Sequence, residues 1–166
     1  MIPGFEIVKQ FEQDPAEQFT IRQLAKATGR SYGATHADVQ TLAEEDIIKT
    51  RKVGASTLCG INLHNEKTIA LLTAASLLRA AENLSTDQRK ITNSAVHHLR
   101  DSCLTIWLKD NELHCLMRPH TQASIAGGLV VHAETIDTLY PNITKTGIAL
   151  WGAETYWRMA SELQRR

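Results

Sequence analysis

Lys49, Arg51 and Lys52 place three cations within four residues, shortly before Ser56 and Thr57. Ammonium and guanidinium groups at that density can hold phosphates, and nearby hydroxyls can add hydrogen bonds to the same oxygens. Asp110 and Glu112, two positions apart, have the spacing of a carboxylate pair for metal-assisted transfer. They flank Asn111 in what reads as a hairpin turn, a solvated tip without glycines to cradle a phosphate. No catalytic residue is assigned, and the chain is not expected to be an enzyme. His97, His98, His114, Cys115, His120 and His132 are scattered. They lack the i, i+4 histidine pair or the CxxC that marks a metal site, and are read as structural or exposed. No metal or other cofactor is expected. Cys59, Cys103 and Cys115 are odd in number and irregular in spacing, so they are not a disulfide framework. Free thiols suit a reducing cytoplasm.

The elements that would carry the cations are legible from periodicity. Phe5, Ile7, Val8 and Phe11 have helical spacing, which Asp14-Pro15 breaks. Phe19-Thr20 reads as a short strand. Thr20 caps a second helix with Ile21, Leu24 and Ala25 on its apolar side. Thr28-Gly29-Arg30 is a tight turn, and Ser31 caps a third helix that aligns Tyr32, Thr35, Val39 and Leu42 on one face. Strands are expected at 47–52 and 57–63, around a turn at 53–56 where Gly54 can take positive φ.

Beyond this, residues 65–83 form a helix apolar on more than one side, expected to be buried by the rest of the chain or by a second subunit. The remainder alternates: a polar helix at 86–101, strands at 104–108 and 112–117, a loop from 119 to 128, a short strand at 129–131, a short helix at 133–139 stopped by Pro141, a strand at 147–151, and a last helix at 153–163. Trp107, Trp151 and Trp157 are expected to anchor the core.

The chain has 166 residues, 43% hydrophobic and 22% charged, ordinary for a folded globular protein. Lys plus Arg equals Asp plus Glu at 18 each, so a globally basic nucleic-acid binder is excluded. Any affinity for DNA must come from local placement of cations. The opening Met1-Ile2-Pro3-Gly4 has no charged leader before an apolar run, so no signal peptide is expected. The most apolar stretch, 68–81, is too short to span a bilayer and contains Arg79. A cytoplasmic protein that does not engage a membrane is expected.

The stretch from Thr20 to Ile48 resembles the core of prokaryotic, especially archaeal, winged helix-turn-helix regulators. The resemblance rests on Thr20, Leu24, Ala25, Thr28, Gly29, Ser31, Thr35, Val39, Leu42, Ile47 and Ile48 at matching spacing. Asp46 stands where those regulators carry glycine, and Asp tolerates a left-handed backbone better than most residues. The resemblance implies that the third helix enters the major groove by its N-terminal part. Arg30, Ser31, Tyr32, Gly33, His36 and Gln40 would then face DNA, with Gln40 suited to adenine and His36 to a base or phosphate. Lys49, Arg51, Lys52, Ser56 and Thr57 would hold DNA from the wing. Asp38 on the same helix would repel phosphate.

The tail, from Val131 to Leu139 and then Thr146-Gly147-Ile148-Ala149-Leu150-Trp151-Gly152-Ala153-Glu154-Thr155-Tyr156-Trp157, is similar to the end of minimal nucleotidyltransferase domains. The Gly-Ser loop and Asp-x-Asp carboxylates of that family do not follow the strand at 104–108, and Gly127-Gly128 comes much later with no carboxylate pair after it. The block is therefore expected to be a non-catalytic remnant or an unrelated sensor.

The fold class expected is α+β: a winged helix-turn-helix over 1–64, a linking and dimerisation helix over 65–84, and a small α+β domain over 85–166. The function expected is a DNA-binding transcriptional regulator acting on double-stranded DNA as a homodimer, with no effector identified. The alternative is a protein-interaction module, or an inactive partner in a nucleotidyltransferase or toxin–antitoxin-like assembly.

Overall fold

Side-chain caps decide where the second and third helices begin. The computed structural model describes residues 4–121, 125–126, 128–140 and 142–163. Helix α1 (Phe5–Gln13) ends at Asp14. Strand β1 (Phe19–Thr20) runs straight into α2 (Ile21–Thr28), where Thr20 and Gln23 form a reciprocal capping box. The Gln23 N–H donates to Thr20 Oγ1 at 3.2 Å and the Thr20 N–H to Gln23 Oε1 at 2.7 Å. Gly29, at φ 66, turns the chain into α3 (Tyr32–Glu44), whose Ser31 cap accepts from the Ala34 N–H. Strands β2 (Ile48–Val53) and β3 (Ser56–Ile61) follow as a hairpin, and the sheet order is β1-β3-β2, all antiparallel. Ile7, Val8, Phe11, Leu24, Val39, Leu42, Ile48 and Cys59 are buried together in this part of the chain.

Asp46 takes φ 56, the left-handed conformation expected of the residue after α3. Asn62 holds it there: its Nδ2 donates to the Asp46 carbonyl at 2.8 Å and to its carboxylate at 2.9 Å. The hairpin strands sit one residue off the sequence expectation, leaving Gly54-Ala55 as the two-residue turn. Tyr32 departs from its expected place on the buried face of α3 and is 52% exposed. Thr35, Val39 and Leu42 alone fill that face. Tyr32 stands in the first turn, beyond the edge of the core, with its ring 6.0 Å from that of His36.

The chain divides into two compact units, Met1–Leu72 and Thr73–Arg166, so the division falls inside helix α4 (Glu66–Asn83) rather than at its ends. In the first unit Thr68 Oγ1 donates to the Ile47 carbonyl at 3.5 Å. In the second, Ser76 Oγ accepts from Trp157 Nε1 at 3.1 Å. Leu77 and Leu78 face solvent, so α4 is not covered all round.

The second unit is a five-stranded sheet with helices on both faces. Helix α5 (Thr86–Leu99), two residues shorter than expected, precedes β4 (Cys103–Lys109) and β5 (Glu112–Met117). Strand β6 (Ile125–Ala126) lies within the segment expected to be loop. Strand β7 (Leu129–Glu134) takes in Ala133 and Glu134, leaving only α6 (Ile136–Leu139), capped by Thr135, of the helix expected at 133–139. Helix α7 (Ile143–Thr146), not anticipated, leads to β8 (Ile148–Trp151) and α8 (Ala153–Leu163). The Pro141 stop and the first glycine of the Gly127-Gly128 pair lie outside the described residues. The sheet order is β6-β7-β5-β4-β8, with β7 parallel to β5 and the other pairs antiparallel. One face packs Ile106, Leu108, Leu113, Cys115 and Val131 against Ala95 and Leu99 of α5. The opposite face places Trp107 edge-on to Tyr156 of α8, 4.8 Å between ring centres. Trp107 and Trp157 are fully buried as expected, but Trp151 is 43% exposed because β8 is an edge strand and Trp151 its last residue. Both units together make a mixed α+β protein. Among the described residues, no helix is long and apolar enough to cross a membrane.

Candidate functional site

Alternation along a strand separates the hairpin cations. Lys49 and Arg51 share one face of β2, and Lys52 lies on the other. Their cross-strand partners are Gly60, Leu58 and Thr57. Lys52 and Thr57 thus continue the face on which Ile48, Cys59 and Ile61 look into the core, whereas Lys49 and Arg51 look away. The three cations do not form one cluster. All of β2 from Lys49 to Val53 is exposed, whereas its partner β3 is half-buried or buried from Thr57 onward.

Thr57 and Ser56 meet the start of the helices. With Ala55 they line a cavity of about 160 Å³ whose other walls are Thr20, Ile21 and Arg22 at the start of α2, and Tyr32 at the start of α3. Arg22 and Tyr32 also line a neighbouring cavity with Ala25. The fold therefore gathers Tyr32, Ser56 and Thr57 and adds Arg22, which sequence reading missed. The signal was present: in a helix capped at Thr20, Arg22 and Lys26 are four apart and fall on one face, and both are exposed. Among the described residues, none of Arg22, Lys26, Lys49, Arg51 and Lys52 meets a carboxylate within ion-pair distance.

On α3, Tyr32, His36 and Gln40 recur every four residues and form a single stripe. Tyr32 and Gln40 are exposed, and His36 is half-buried beneath the Tyr32 ring. Gly33 stands in open space, with nothing within 4 Å of where a Cβ would be. Ser31 spends its oxygen on the cap at 3.3 Å, which leaves its hydroxyl proton free to donate. Arg30 is not a free cation, because its Nη1 donates to Asp38 Oδ2. The same pair removes the repulsion that Asp38 alone would present to a phosphate.

Charge is segregated along this helix. Its first turn carries no acid, and its last residues, Glu44 and Glu45, are acidic and followed by Asp46. Acids at a helix C-terminus oppose the macrodipole. Glu45 is offset by Lys67, whose Nζ lies 2.9 Å from Glu45 Oε2. The acids near α3 thus gather at its C-terminal end, away from the exposed cations of β2.

In the second unit, two histidines and two glutamates pair across neighbouring strands. His114 and His132 are opposite each other on the parallel strands β5 and β7, and their rings stack 4.9 Å apart. Glu134 Oε1 lies 3.0 Å from His114 Nδ1, and Glu112 Oε2 2.6 Å from His132 Nε2. His97 and His98 are neighbours in sequence but exposed near the end of α5. Among the described residues, no group of three or more His, Cys, Asp or Glu side chains is arranged to hold a metal ion. The three thiols are free and buried. Burial pushes the Cys59 thiol up to about 11. Asp110 and Asn111 occupy the β4–β5 turn at φ 50 and 63, with Asp110 in solvent.

A family model described as HVO_A0114 matches residues 5–59, from the start of α1 into β3. No curated protein and no solved structure matches the chain.

Proposed function

We propose that the first unit is a winged helix-turn-helix, with β2–β3 as the wing, and that the protein is a transcriptional regulator binding double-stranded DNA as a homodimer. The observation that carries this is the convergence of Arg22, Tyr32, Ser56 and Thr57 around one cavity, beside a ribbon whose cations meet no carboxylate among the described residues. In a docked complex the start of α3 enters the major groove, and Tyr32, Gly33, His36 and Gln40 approach base edges. Arg22, Lys52, Ser56 and Thr57 hold the backbone on the near side of the wing, and Lys49 and Arg51 on its far side. A cytoplasmic location accords with three free thiols. The second unit has no catalytic role in this account.

Dimerisation is supported by α4, where Leu77 is 53% and Leu78 42% exposed, side by side on one helix. Leu78→Glu should leave the thermal midpoint close to the original and convert a dimer to a monomer in sedimentation equilibrium at micromolar concentration. A protein that is monomeric before the change would remove the dimer. The DNA role is tested by selecting bound duplexes from a random library. A two-fold symmetric sequence with half-sites about one helical turn apart should be enriched. Absence of any enriched sequence would sink the regulator.

A second reading, a module that binds protein, draws on the exposed Tyr32 and on Val53 at the wing tip, 48% exposed. Apolar side chains at both positions suit a protein partner as well as a DNA backbone. It predicts association that is insensitive to salt.

A further inference from the structure

We propose that Asp38 is a positioning residue: it holds the Arg30 guanidinium across the start of α3, so that Arg30 reads a guanine instead of gripping a phosphate. The inference rests on the DNA-binding role proposed above. Arg30 stands just before the Ser31 cap, and Asp38 lies two turns into α3, yet their side chains meet at Arg30 Nη1 and Asp38 Oδ2. The acid is largely covered, with 15% of its side chain exposed, while 39% of the Arg30 side chain still faces solvent. Asp38 is also the one acid in α3 before Glu44. Of the acids beyond it, Glu45 is held by Lys67 and Asp46 by Asn62.

The chemistry follows from the charge count. A free arginine on a DNA-facing surface is drawn to the nearest phosphate, because phosphate attraction is strong and independent of sequence. An arginine neutralised by a neighbouring carboxylate loses most of that net attraction. It keeps its directed N–H donors, since one bond to Asp38 leaves four of the five N–H groups available. Those donors match the O6 and N7 acceptors that guanine alone presents as a pair in the major groove. A phosphate gains less from this neutralised pair than from a free cation. Arg22, Lys26 and the wing cations have no such acid beside them and suit the backbone.

Base preferences should be measured on a duplex library for the unaltered protein, Arg30→Ala, Asp38→Ala, Asp38→Asn and the double variant Arg30→Ala/Asp38→Ala. Arg30→Ala should lose preference for guanine at one position of the half-site by about ten-fold or more. Both Asp38 variants should lose most of the same preference at the same position. Their affinity for an unrelated duplex should rise, and their salt dependence should steepen by up to about one unit of log–log slope. The double variant should match Arg30→Ala, because Asp38 acts through Arg30. Weaker binding of the Asp38 variants to every duplex, with a lower thermal midpoint, would make Asp38 merely structural and overturn the proposal. So would a guanine preference that survives Arg30→Ala or survives loss of Asp38. If the unaltered protein binds no duplex, the DNA-binding role falls and this inference falls with it. Binding with an unchanged base profile in the variants overturns the positioning role alone.

Discussion

Two of the hairpins, β2–β3 and β4–β5, both close through two-residue turns, and their surroundings are opposite. The β2–β3 hairpin turns at Gly54-Ala55 and leaves β2 exposed from Lys49 to Val53. The β4–β5 hairpin turns at Asp110-Asn111, both with positive φ, as a twist-matched two-residue turn requires. Its β4 strand is buried at five of seven positions, between α5 on one face and α8 on the other. Both are antiparallel pairs of neighbouring strands. The side chains on the two faces differ, and they decide whether a hairpin becomes core or a projecting arm. Among the described residues, the cations on the first meet no carboxylate within ion-pair distance, so they are available to another molecule. On the second, Glu112 is bonded to His132 and His114 to Glu134 across to β7, so these four side chains have partners within the unit.

The comparison breaks most readily at the centre of the second hairpin. Trp107→Ala should cost about 4 kcal/mol in urea denaturation, because it removes a fully buried ring packed on Tyr156. Lys52→Ala on the exposed ribbon should change stability by no more than about 0.5 kcal/mol. Similar losses at both positions would mean the ribbon is packed after all.

Glycines sharpen the same contrast with a smaller effect. Gly152, at φ 67, joins β8 to α8, and a Cβ there would come within 2.1 Å of the Leu104 carbonyl oxygen. Backbone atoms cannot move aside, so Gly152→Ala should cost about 3 kcal/mol. Gly54, at φ 58, has nothing within 4 Å, and Gly54→Ala should cost only about 1 kcal/mol, from the left-handed backbone alone. Equal shifts of the two thermal midpoints would contradict the difference in packing.

The smallest effect expected is none. Asp110 lies on a solvated turn and Glu112 is tied to His132, so labelled nucleoside triphosphates with Mg²⁺ or Mn²⁺ should give no transfer to protein or RNA. Turnover that Asp110→Asn or Glu112→Gln abolishes would make this hairpin an active site and reverse its role in the comparison.

Local chemistry explains which features were legible in the sequence. Thr20, Ser31, Gly29, Gly54 and Asp46 act through their own backbone or within a few residues, and each does in the fold what its type suggests. The same holds for the buried positions of α3 other than Tyr32, whose place beyond the core edge depends on where neighbouring elements stop. What was hidden depends on residues far apart in the chain. The register of β5 on β7 brings His114 against His132, 18 positions on, and no spacing within either strand signals it. Strand β6, two residues long, and helix α7, four, are too short for periodicity to detect. In the candidate site, the residue types of the ribbon were evident, but the two-residue alternation that separates Lys52 from Lys49 and Arg51 went unused. The Arg30–Asp38 pair was invisible because a flexible side chain spans eight positions.

The central claim is that the exposed ribbon and the start of α3 hold DNA, and a salt titration of duplex binding tests it most directly. For the unaltered protein, log affinity should fall linearly with log salt concentration. Changing Arg51 and Lys52 together to Ala should weaken binding to all sequences and flatten the slope by about one unit for each phosphate that is no longer neutralised. Affinity and slope that are both unchanged in the double variant would contradict the account and remove the ribbon from the interface.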